Sequence, residues 1–245
     1  MTELSYNKNM THLSYFLGVD MTRLSHSRER MEKVPTQTFF NLPEEKRERI
    51  IRAAIDEFAD NSFHQASIAK IIEQAGISRG SFYQYFSDIK DLYKFIFEKS
   101  GQEKMVYIYD VVSKMNELNT FVIMKELYKA GIRFANDHPK LALLGNKLYK
   151  EDISVRNEVM AGLEEKSYQF YEDLLQKGIE KGDVDPGVDI TIASRLFLTM
   201  NLAVVENFLT NSKHDHFLDD IEGYLQEVDK MLYILEHGLK KKDYE

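Results

Sequence analysis

The chain has 245 residues, a formal net charge of −8 and no cysteine. That excludes disulfides and thiolate metal sites and agrees with a reducing cytoplasm. It also lacks an apolar run approaching the roughly 20 residues that cross a bilayer, because the longest, 196–205, is interrupted by Thr199 and Asn201. Cations and carboxylates balance over residues 1–99, so the whole negative surplus lies beyond residue 99; the N-terminal part remains free to face a polyanion.

Residues 1–40 begin polar and without a clear period, and they lack the apolar centre and small-residue cleavage site of a secretory signal. They are read as a disordered extension, with Met31 a candidate natural start. A first domain is expected over 41–99. Its first helix begins near Pro43, with Asn41 and Glu44 spaced as a capping box. Ile50, Ile51, Ala54, Ile55 and Phe58 form one apolar stripe. Ser67 is the expected N-cap of a short second helix carrying Ile68, Ile71, Ile72 and Ala75, which Gly76 ends. Ser78 caps a third helix over 78–86, and Asp88 opens a longer one with Leu92, Phe95 and Ile96.

From Gly101 onward the spacing predicts helices near 103–117, 119–136, 139–150, 153–181, 188–211 and 217–240, with breaks at His138-Pro139 and Asp185-Pro186-Gly187. The fold class is therefore all-α: an N-terminal three-helix unit, then a larger helical bundle over 100–245.

Two short helices joined by a tight turn at Gly76 form a helix-turn-helix, whose second helix suits a major groove. At 100° per residue, Phe82 and Phe86 face inward, Gly80, Ser81 and Gln84 face outward, and Tyr83 and Tyr85 flank them. Ser67 and Ser78 offer hydroxyls and helix N-termini to phosphates. Arg79 suits a phosphate or a guanine edge, Gln84 an adenine edge, and Tyr83 and Tyr85 phosphates or thymine methyls. Gly80 inside a helix costs about 1 kcal/mol relative to alanine, which close approach of the backbone to DNA would explain. A compact three-helix fold with a merely polar exterior is the alternative reading of the same residues.

Ser67 through Leu92 resembles the DNA-binding signature of the tetracycline-repressor (TetR) family of bacterial regulators. The resemblance rests on Ile71-Ile72, Ala75-Gly76-Ile77-Ser78, Gly80-Ser81-Phe82-Tyr83, Tyr85-Phe86 and Asp91-Leu92, with Ala53-Ala54 and Phe58-Ala59 in the first helix. It covers about 55 residues, 42–97. Two positions depart from the pattern. Lys70 stands where an Asp is frequent, and Ile89 stands where a phosphate-contacting Lys is frequent, with Lys90 one residue later and about 100° away.

The last helix carries an apolar seam: Leu218, Ile221, Leu225, Val228, Leu232, Leu235 and Leu239. The helix before it carries Ile192, Leu196, Met200, Ala203 and Val204. The resemblance implies homodimerisation through these two helices, which would place two reading helices on a double-stranded operator; an internal core is the other reading of the seam. The resemblance also implies an effector pocket for an apolar or aromatic small molecule, with Tyr107, Phe121, Met124, Tyr128, Phe134, Tyr149, Tyr168 and Tyr171 as candidates, each also readable as core. His214-Asp215-His216 reads as a polar loop rather than a metal site. No catalytic motif, cofactor or membrane partner is expected. The sequence thus predicts a cytoplasmic, dimeric, ligand-responsive DNA-binding regulator of the repressor type; an enzyme or a dimerising scaffold are the competing classes.

Overall fold

The structure, a computed structural model, describes residues 35–148, 151–160, 163–211 and 217–239. The regular elements among them are all helical: α1 Gln37–Phe40, α2 Glu44–Asp60, α3 Ile68–Ala75, α4 Arg79–Tyr85, α5 Ile89–Val112, α6 Thr120–Asp137, α7 Pro139–Leu148, α8 Ile153–Met160, α9 Leu163–Lys181, α10 Ile190–Asn211 and α11 Ile221–His237, with 3-10 turns at Phe63–Gln65 and Phe217–Asp220.

The chain divides into two units. The first joins the residues up to 103 with 138–160, and the second joins 104–137 with 161–245. Placing 138–160 with the first unit departs from a single boundary at residue 99. In that unit α7 packs on α2, burying Leu141, Leu144 and Leu148, and a set of polar ties adds to the contact. The Lys140 ammonium lies 2.7 Å from the Asp56 carboxylate, Lys147 Nζ donates to the Ala59 carbonyl at 2.5 Å, Glu151 Oε1 accepts from the Phe63 amide at 2.7 Å, and His64 lies 2.9 Å from Asp152.

In the first unit α2 is built as its spacing predicts, burying Ile50, Ile51, Ala54 and Phe58, with Glu44 and Glu45 in the first turn where the helix dipole favours carboxylates. The expected capping box is absent. Pro43 takes the cap position without a side-chain bond, and the Asn41 amide oxygen instead accepts from Gln37 Nε2 at 3.0 Å. The extension also ends earlier than residue 40. Residues 37–40 are helical and Phe39 is fully buried, its ring packed against Phe86, Phe95 and Tyr85 with centroids 5.0, 5.3 and 6.0 Å away. The proposed start at Met31 lies outside the described residues.

Gly101 does not break a helix; α5 runs through it. Of the predicted helix over 153–181, the described residues are helical over Ile153–Met160 and Leu163–Lys181, α8 and α9. In the second unit α9 packs on α10, α10 on α11, α11 on α6, and α6 back on α9, closing a four-helix arrangement. Ile123, Met124, Leu174, Leu175, Phe197, Val204, Phe208, Tyr224, Val228 and Leu232 fill its interior. None of the helices, among the described residues, is long and apolar enough to cross a membrane.

Candidate nucleic-acid interface

The turn between α3 and α4 is set by Gly76, whose φ of 64° lies in the left-handed region that favours glycine. There the Ile77 amide donates to the Ile72 carbonyl at 3.0 Å and the Gly76 amide to Glu73 at 3.2 Å. This pair of bonds closes a helix C-terminus sharply. Two residues on, the Ser81 amide donates to Ser78 Oγ at 3.1 Å, so Ser78 caps α4 as expected. Ser67 occupies the N-cap of α3, but its hydroxyl makes no cap bond. Its backbone amide donates instead to the buried Glu57 carboxylate at 2.8 Å, because the acceptor comes from α2 rather than from the cap itself.

On α4 and its two cap residues, Phe82 and Phe86 are fully buried, while Ser78, Arg79, Gly80, Tyr83 and Gln84 are exposed and Ser81 is half-buried. The Arg79 guanidinium lies 5.9 Å from the Tyr83 ring centre, within the range of cation–π attraction. A β-carbon at Gly80 would meet only Ser78 Oγ, at 3.9 Å; the protein itself does not require glycine there. Tyr85 overturns an expectation. It is only 3 % exposed, packed against Phe39 with the Lys46 ammonium 6.0 Å from its ring centre. It stands three residues after Phe82, on the same helix face, and it supports α4 from within rather than reaching phosphates.

Lys90 is engaged as well. Its ammonium lies 2.9 Å from one Glu158 oxygen, and the Lys94 ammonium lies 3.1 Å from the other. The hydrogen bond and charge of Glu158 hold the Lys90 pKa above its ordinary value, and the two lysines hold the Glu158 carboxyl below its own. The start of α5 is closed by carboxylates: Asp88 Oδ1 accepts from the Asp91 amide at 2.9 Å, and Asp91 Oδ2 from the Ser87 amide at 3.2 Å. A phosphate contact by Lys90 would therefore share its ammonium with Glu158.

The residues expected around an effector are only partly assembled. Met124, Tyr128 and Tyr171 line a cavity inside the second unit together with Leu127, Phe197, Asn201 and Leu232. Asn201 donates its side-chain amide to the Tyr171 hydroxyl, and burial, then the neighbouring Tyr171 and Tyr224, push the Tyr128 hydroxyl up. The cavity has room for about one water molecule. Tyr107 and Phe134 pair with each other, rings 5.8 Å apart, and the Tyr107 hydroxyl donates to Asp137 at 2.7 Å. They do not line that cavity, nor do Phe121 and Tyr168; the Tyr168 ring lies 6.0 Å from the Arg195 guanidinium. Tyr149 and His214-Asp215-His216 lie outside the described residues.

The expected dimer residues divide similarly. Val204, Val228 and Leu232 are buried within their own chain and are core. Met200, Leu218, Ile221 and Leu225 are half-buried, and Leu196 and Ala203 are exposed. The exposed apolar surface on α10 and α11 also includes Ile192, Tyr233 and Ile234; Tyr233 and Ile234 were not among the seam positions.

Residues 50–95 match the family model for bacterial regulatory proteins of the tetR family. Over 174 residues the chain is 28 % identical to a fatty acid metabolism regulator protein of Bacillus subtilis (strain 168), covering 68 % of this chain and 86 % of that one. A TetR-family transcriptional regulator from Chloroflexus aurantiacus superposes with a TM-score of 0.60 at 27 % identity, covering 86 % of this chain and all of that one. The regulator FadR of Bacillus subtilis, solved in complex with stearoyl-CoA, superposes with a TM-score of 0.62 at 21 % identity, covering 79 % of this chain and 99 % of that one, a likeness of fold.

Proposed function

We propose that this chain is a homodimeric repressor of the TetR type that leaves a palindromic operator when a small apolar effector binds; the match of residues 50–95 to the tetR family model and the likeness to a TetR-family regulator at 27 % identity support the reading. The observation that carries the reading is the outer face of α4. Arg79, Gly80, Tyr83 and Gln84 stand exposed on a short helix whose opposite side is locked in aromatic core. Guanidinium and carboxamide groups suit guanine and adenine edges, and the bare backbone at Gly80 permits close approach. The exposed Ile192, Leu196, Tyr233 and Ile234 support pairing of α10 and α11 with a second copy.

The effector centres on Met124, Leu127, Tyr128, Tyr171, Phe197, Asn201 and Leu232. With space for about one water, this site accepts a larger molecule only by parting its helices. A ligand preferring the parted state would thereby shift the population away from the DNA-binding form. The relative named for fatty acid metabolism and the fold-mate holding stearoyl-CoA make a long-chain acyl thioester the first effector to try. The absence of cysteine suits a cytoplasmic protein. Selection of DNA from a random pool, followed by footprinting and salt titration, tests the reading. A symmetric two-half-site motif with a steep salt slope is expected, and added acyl thioester should release it. A protein that enriches no sequence would overturn the proposal.

A further inference from the structure

The recognition helix has only seven residues, Arg79–Tyr85, too few to hold its shape alone in water. Its last carbonyls have no partners inside the helix. Thr36 supplies two of them from 48 residues upstream. Its hydroxyl donates to the Gln84 carbonyl at 2.7 Å, and its backbone amide donates to the Tyr85 carbonyl at 3.0 Å. The buried Pro35 precedes it, and Phe39 follows, set among Tyr85, Phe86 and Phe95. The Arg47 guanidinium closes the other end of this segment, donating to the Phe40 carbonyl at 3.2 Å.

We propose that Thr36 is a positioning residue for base reading: it caps the C-terminal end of α4 and fixes the residue, Gln84, whose exposed side chain faces the DNA. The inference rests on the DNA-binding reading above. Thr36 sits in extended backbone at φ −65° and ψ 161°, so it does not itself approach the duplex as part of the recognition helix. It acts on Gln84 through the main chain. The carbonyl it holds belongs to the same residue whose carboxamide must lie within hydrogen-bond distance of a base, where small displacements break a bidentate contact.

The test uses the full-length protein and DNA selected from a random pool by the wild type. Thr36→Val keeps the shape and the amide bond but removes the hydroxyl donor, and its backbone angles suit valine. Expected is a loss of about three- to tenfold in affinity for the selected DNA, with affinity for a scrambled duplex unchanged. In a Gln84→Ala background the same substitution should cost little, because its effect runs through that side chain. Thr36→Ser, which restores the donor, should recover wild-type selectivity. Thr36→Ala carries the same comparison if the valine disturbs folding. Equal losses on selected and scrambled DNA, an undiminished loss in the Gln84→Ala background, or wild-type affinity in Thr36→Val each overturn the inference alone. A wild type that selects no sequence removes the DNA-binding reading and this inference with it.

Discussion

Gly80 in α4 and Gly178 in α9 both sit inside helices, for opposite reasons. A β-carbon at Gly80 would touch only Ser78 Oγ, at 3.9 Å; one at Gly178 would lie 2.6 Å from both Thr120 Oγ1 and Val184 Cγ2. The fold has no use for the first glycine, which leaves an exposed helix backbone bare. It requires the second, which lets α6 and the turn after α9 close upon each other. The same residue thus stands on an open surface in one unit and in a tight interior in the other. Around Gly178 the chain is further bound by Asp183, which accepts from the Thr120 amide at 2.9 Å and from Asn119 Nδ2 at 3.0 Å, with the Lys181 ammonium 3.1 Å away.

The contrast can be broken at several points. Phe39→Ala should have the largest effect, about 3–5 kcal/mol of lost stability in denaturant unfolding, because its ring is wholly enclosed; an unchanged midpoint would return the segment before residue 41 to a dispensable extension. Gly178→Ala should cost about 1–3 kcal/mol, and a neutral result would mean that α6 yields easily.

Asp183→Ala should remove about 1–3 kcal/mol at neutral pH by stranding its donors. Burial pushes the Asp183 carboxyl up, but the Lys181 ammonium and the Thr120 amide and hydroxyl outweigh it and hold the pKa below its ordinary value. Its contribution is therefore complete above the unfolded value of about 3.9 and fades as pH falls through the lower folded one. Wild type and variant should converge in acid; a gap constant with pH would contradict this. Gly80→Ala is the mildest in stability, a gain of up to about 1 kcal/mol, yet it should weaken operator binding. A variant that is more stable and binds equally well would show that the bare backbone serves no partner.

Local signals carried the first unit. Gly76 and Ser78 were legible because a left-handed turn and an N-cap are decided within three or four residues. The burial of Phe82 and Phe86 followed from helical spacing. Tyr85 was misplaced because its partner, Phe39, belongs to a four-residue helix too short to show a period. Thr36 was missed because a hydroxyl reaching across 48 positions leaves no mark on local spacing. In the second unit the seam on α11 was visible, but which of its residues face the interior was not. Val228 and Leu232 resemble Ile221 and Leu225 in sequence and differ only in what α6 and α10 place against them. Gly178 reads simply as a weak helix former until Thr120 and Val184 stand beside it.

The central claim is that the outer face of α4 reads bases. The most direct test is parallel selection from one random DNA pool with the wild type and Gln84→Ala. The account predicts one symmetric motif for both proteins, with preference lost at a single base-pair position in each half-site of the variant. Identical motifs at every position, or no motif from the wild type, would contradict it.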